Sequence, residues 1–279
     1  DILAIAAGVD SREGRIESAT LKLERAREID PRSASTLVAL QQNYILQRRY
    51  QEARDVGQAA IALVPGDINI VEWQAMGYLG QGDLKGAREV IRAAIDRGNP
   101  APAVAAFFGG YQEVSWALEE QERQLLFRLT PAAFDNDRAW WGQTMAIAYW
   151  QQGNLVAARA YADSALPATA VQVAASPRDG QTHGLHALML AYTGKKAEAI
   201  AEAKQAVELA TPGGEGNVHY TTLLLIRTYL ATGEPELAMD QIEVLLQRPY
   251  VVTRAWLDID PTFRSLKGNP RFEKMVKGQ

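Results

Sequence analysis

The feature that most constrains this chain is a phrase it uses more than once. Residues 78–87, YLGQGDLKGA, and residues 149–158, YWQQGNLVAA, both read Tyr, two residues, Gln, Gly, Asp or Asn, Leu, two residues, Ala. With Gly82 and Gly153 as anchors, the same slot recurs at Gly14, Arg48, Gly194 and Gly233. Five places on from these six positions stand Ala19, Ala53, Ala87, Ala158, Ala199 and Ala238. Twelve places on stand Ala26, Ala60, Ala94, Ala165, Ala206 and, as the one exception, Leu245. Two small-residue columns held through six copies define a repeat, and a repeat restricts the chain to stacked supersecondary units.

The physical content of each copy is a helical hairpin. An apolar pattern of helical period precedes the slot and a second one follows it. A glycine in the slot takes the left-handed conformation that closes the first helix without a Cβ clash. Asp83 and Asn154 then accept from the free N–H groups that open the second helix. The paired alanines lie two turns apart on one face, where small side chains let helices approach closely. Pro31 and Pro65 are expected to stop second helices, since proline lacks an N–H and disfavours helix in the residue before it.

These residues resemble the tetratricopeptide repeat, a helix–turn–helix unit. The best copy is residues 34–67, where Leu40, Tyr44, Tyr50, Ala53, Ala60 and Pro65 match the family's positions. The resemblance implies an all-α fold: a right-handed superhelical solenoid of about seven units with a C-terminal capping segment. The expected organisation is three regular units over 1–100, a degenerate unit and linker over 101–138, three looser units over 139–250 and a cap over 251–279, all one continuous solenoid. In the degenerate unit Tyr111 is in place but Glu120 stands where alanine belongs. The spacings Gly153–Gly194 and Gly194–Gly233 are longer than the period, and PATAVQVAASPRDG (167–180) and TPGGEGN (211–217) read as the loops that hold the surplus. The C-terminal phrase DPTFRSLKGNPRF is similar to the ends of such domains in bacterial Ser/Thr kinases, adenylate cyclases and winged-helix regulators. That similarity, with an apolar helical opening that no polar cap precedes, points to the regulatory part of a larger bacterial signalling protein.

Composition narrows the function. A net charge of −4 supplies no broad basic field, so nucleic acid is not an expected partner. No apolar run reaches the roughly 18–20 residues that span a bilayer, and membrane insertion within this segment is not expected. Without cysteine there is no disulfide framework, thiolate metal site or cysteine nucleophile, and reducing and oxidising compartments are both compatible. The chain has no P-loop, GxSxG, HExxH or kinase catalytic-loop motif. Its carboxylates are spread along helices, the pattern of a solvated face, so no catalytic residue, metal or cofactor is expected. His183 and His186, one helical turn apart, with His219 at the start of the next unit's first helix, form the alternative: a small-molecule or metal sensor. At those positions the repeat ordinarily packs large side chains, which favours structural histidines.

The expected activity is therefore binding of a protein or peptide ligand. In tetratricopeptide domains the first helices line a concave groove, and the resemblance carries its groove-facing places onto Gln42 and Leu46, onto Asn69, Glu72 and Met76, onto Trp140, Gln143, Ile147 and Trp150, and onto Tyr220 and Arg227. Rigid aromatics beside amides and an arginine suit peptide gripping. The chaperone-binding members hold a terminal carboxylate with Lys, Arg and Asn; here Val38, Gln42 and Trp73 occupy comparable places, so that clamp is not expected.

Overall fold

The computed structural model describes residues 2–210 and 215–278, and among these every regular element is helical. Six hairpins pair α1 (Ile2–Arg12) with α2 (Ile16–Ile29), α3 (Ala34–Leu46) with α4 (Tyr50–Leu63), and α5 (Ile68–Gly80) with α6 (Leu84–Asp96). Between them and the next three lie α7 (Ala101–Gly110) and α8 (Glu120–Leu126). The later hairpins pair α9 (Arg138–Gln151) with α10 (Leu155–Ala175), α11 (Gly180–Tyr192) with α12 (Lys196–Ala210), and α13 (Glu215–Ala231) with α14 (Pro235–Leu246). Short helices α15 (Arg254–Ile259) and α16 (Pro270–Lys277) complete the chain, with 3-10 turns at Ser115–Ala117, Pro131–Phe134 and Pro261–Leu266. This is an all-α helical-repeat solenoid.

Turn chemistry accounts for the hairpins. The slot residues Gly14, Gly82, Gly153, Gly194 and Gly233 have φ of 76°, 80°, 81°, 87° and 76°. Asp83 accepts from Gly86 N and Asn154 from Ala157 N, each capping a second helix. Arg48 adopts the same turn at φ 61°, although a left-handed backbone crowds its Cβ. Its exposed side chain makes one long hydrogen bond, 3.4 Å to Tyr50 OH. Arg48→Gly is therefore expected to raise stability by about 1 kcal/mol, read as a higher urea midpoint at unchanged m-value.

The alanine columns are the packing seams. All eleven alanines are at most 3% exposed, and Leu245 is 2% exposed. Helix α9 meets α10 closely enough that a Cβ built on Gly142 would stand 2.8 Å from the Cβ of Ala165. Second helices also pack on the next first helix, α2 on α3 and α4 on α5, so each seam serves two neighbours.

The chain forms two compact units, one running through Val104 and joined by Pro249–Ile259, the other comprising Ala105–Arg248 and Asp260–Gln279. In the first unit the tail segment packs on α5. Val251, Val252, Trp256 and Leu257 are buried, and Thr253 Oγ1 donates to Gly80 O at 2.7 Å. That carbonyl belongs to the last residue of α5, which lacks an intrahelical partner. In the second unit Phe263, Leu266, Phe272 and Met275 are buried, as a cap requires. Arg271 pairs with Glu236, Asp240 and Glu243 on α14.

Two local expectations are corrected. PATAVQVAASPRDG is not mainly a loop, because α10 runs through Pro167 to Ala175. Pro167 lies on the exposed side, where water can satisfy the freed carbonyl. Beyond it Thr169 meets His186 Nδ1 at 2.7 Å, and Gln172 Nε2 donates to Asp137 Oδ2 at 3.3 Å, so tertiary contacts hold the extra turns. Of TPGGEGN, residues 211–214 lie outside the described residues, and α13 has begun at Glu215. Degeneracy at 101–134 takes a definite form: after α7 the chain enters turns and the seven-residue α8 in place of a full second helix. Gly109 and Gly110 allow the tight exit, since Cβ atoms there would lie 2.6 Å from Leu126 Cδ1 and Trp140 Nε1.

Candidate functional site: the first helices

The first helices pack side by side within each unit, α3 with α5 in one, and α9 with α11 and α11 with α13 in the other. Their faces are where the expected groove residues lie. In the first unit Gln42 and Leu46 on α3 are half-buried and Asn69 on α5 is exposed, its amide donating to Asp67 Oδ1 at 2.8 Å. Glu72 and Met76 are buried. In the second unit Gln143, Ile147 and Arg227 are buried, whereas Trp140, Trp150 and Tyr220 are half-buried. Ile147 belongs to a core cluster with Leu188, Met189 and Leu224. Trp140 meets Phe134 edge-on at 5.1 Å and Trp150 stacks on Tyr192 at 5.6 Å.

Arg227 and Tyr220 are brought together by a stretch that the sequence did not single out. All residues from Gln112 to Leu118 are buried; the turn Ser115–Ala117 packs on α9 and Gln112 bonds to α13. Gln112 O accepts from Gln151 Nε2 at 3.2 Å and from Arg227 Nη2 at 3.1 Å. The Gln112 side-chain amide donates to Tyr220 OH at 2.8 Å, and Ser115 Oγ donates to Gln151 Oε1 at 2.9 Å. Asp260 approaches Arg227 at 3.9 Å. Burial pushes the Glu113 carboxyl up despite the nearby Arg227, and it pushes the Tyr220 phenol up as well. The signal available in the sequence was the departure from the repeat, with Glu120 standing in the alanine column.

The histidines make structural contacts. His183 Nδ1 meets Glu202 Oε1 at 2.7 Å and its Nε2 donates to Pro177 O at 3.2 Å, so both ring nitrogens are engaged. Thr169 Oγ1 donates to Leu166 O and so accepts from His186 Nδ1. Burial lowers the pKa of His186. Among the described residues no group of three or more His, Asp or Glu could hold a metal ion, and no helix is long and apolar enough to cross a membrane.

The family profile described as tetratricopeptide repeat matches residues 144–164, across the α9–α10 turn that carries Gly153 and Ala158. Residues 144–164 match a tetratricopeptide repeat. Similar solved structures include a tetratricopeptide repeat protein from Parabacteroides merdae, at 18% identity over 99% of this chain and 96% of that one, with a TM-score of 0.45. A second is pilF from Pseudomonas aeruginosa, at 15% identity over 100% and 97% of the two chains, with a TM-score of 0.38. The TPR2AB domain of yeast Sti1, in complex with pHSP90, shares 14% identity over 99% and 97%, with a TM-score of 0.34. A search of curated proteins found no match. Gly142 and Ala165, where α9 and α10 approach closely, flank the matched segment on either side.

Proposed function

We infer that the chain is a non-catalytic scaffold that holds a protein or peptide against the inner faces of its first helices. The observation that carries this reading is the side-by-side row of first helices in each unit. It leaves Gln42, Leu46 and Asn69 in one unit, and Trp140 and Trp150 in the other, with solvent-accessible surface on rigid elements. Half-buried aromatics and amides held by packed helices bind with little ordering cost. The tetratricopeptide repeat family is one of interaction scaffolds, and the similarity of the C-terminal phrase to regulatory proteins supports reading this chain as the regulatory part of a larger bacterial signalling protein. A ligand that fits one arrangement of the helices better would shift the population toward it.

The test is selection of peptides from a phage-displayed library against the purified chain. The expected result is a sequence family that binds at micromolar Kd and loses at least tenfold affinity in the double variant Gln42→Ala, Asn69→Ala or in Trp150→Ala. Tm is expected to change little in the double variant. A library that yields no reproducible binder, or binders indifferent to all these substitutions, overturns the reading.

A further inference from the structure

We propose that Gln112–Leu118 is a built-in occupant of the partner-binding face of the second unit, and that a peptide which copies its contacts replaces it there. This rests on the reading of the inner faces as the partner-binding surface. In a regular unit this part of the chain would run as a second helix against its own first helix. Here it turns instead onto α9 and is hydrogen-bonded to α13 through Gln112, held as a bound peptide would be. One main-chain carbonyl, Gln112 O, takes two side-chain donors, Gln151 and Arg227, from two different first helices. Side-chain hydrogen bonds at Gln112 and Ser115 fix the register, and Val114, Ala117 and Leu118 supply fully buried apolar contact.

The fit is incomplete at its centre. Arg227 is 3% exposed, yet among the described residues its Nε and Nη1 meet no hydrogen-bond partner, and neither do Glu113 Oε1 and Gln112 Oε1. Buried polar atoms left in this state weaken the hold of the segment that carries them. A carboxylate is the group that accepts from a guanidinium in paired fashion. The replacing ligand is thus a short turn-forming peptide with a main-chain carbonyl for Gln151 and Arg227, an acidic side chain beside it and an apolar residue following. The face is self-inhibited until such a ligand competes.

The test uses the double variant Gln112→Ala, Ser115→Ala, which removes side-chain anchors from the segment and leaves Gln151, Tyr220 and Arg227 in place. A fluorescein-labelled peptide with the sequence of residues 111–118 is titrated and followed by anisotropy. The expected result is at least tenfold tighter binding to the double variant than to the unaltered chain, reversed by adding Gln151→Ala. Equal binding to both, or none to either, overturns the proposal. Should the double variant fail to fold, the absence of cysteine from the chain supplies a second measurement. Single-site thiol labelling under native conditions compares Ala117→Cys in the segment with Ala187→Cys in α11, both fully buried positions. A displaceable segment labels at least tenfold faster at 117, and equal rates overturn the proposal. Failure here leaves the scaffold reading intact, because that reading is tested separately, by peptide selection, and at Gln42 and Asn69 in the other unit as well as at Trp150.

Discussion

Trp256→Ala is expected to lower the unfolding free energy by about 3–5 kcal/mol. Trp256 is fully buried and is one of the largest side chains with no exposure. Its helix has six residues, too short to persist on its own, so the segment 249–259 is ordered only by what it packs against. A polar anchor beside it is Thr253, whose Oγ1 donates to Gly80 O and accepts from Trp256 N. Removing the indole leaves a cavity that these bonds cannot close, and the end of α5 loses its cover. Urea denaturation followed by circular dichroism measures the loss. A change below about 1 kcal/mol, the size of an ordinary surface substitution or less, would show that the tail is not part of the first unit's core.

Arg227→Ala is expected to cost a similar amount, about 3–5 kcal/mol, for a different reason. The guanidinium comes within 3.9 Å of Asp260, its charge acts on the Glu113 carboxyl, and it donates to Gln112 O. Truncation removes the counter-charge from two buried carboxyl groups and one of the donors from the Gln112 carbonyl. The loss is expected to depend on pH in a defined direction. Glu113 has its pKa raised in the fold by burial, above the 4.5 of the free side chain. Its native state therefore binds more protons than its unfolded state above that value, and stability falls as pH rises. Without Arg227 the carboxyl is pushed further up, so Arg227→Ala should be measurably more stable at pH 5 than at pH 8, relative to the unaltered chain. Combining Arg227→Met with Glu113→Gln and Asp260→Asn should recover much of the loss, since Asn can still cap Thr262 N as Asp260 does. A triple variant no more stable than Arg227→Ala, with no pH trend, would remove the buried charge cluster as the cause.

The sequence by itself determined the hairpins. Slot glycines, capping Asp83 and Asn154, and the alanine columns are local or nearest-neighbour devices, and a nearest-neighbour architecture lets them act without reference to the rest of the chain. Pro31 and Pro65 follow α2 and α4 as expected for the same reason. Site positions were legible only as places on a helix: the register put Trp150 and Gln143 on α9, but whether each is open depends on what covers it.

Tertiary structure decided the rest. Pro167 stays inside α10 because Thr169 and Gln172 find distant partners in His186 and Asp137, contacts that outweigh a local stop signal. The tail reaches Gly80 across 173 positions, and Gln112 reaches Arg227 across 115. Neither pairing has a period or a motif to announce it. Burial of apolar surface is non-directional, so a sequence states that Trp256 and Val114 must be covered but not by which surface.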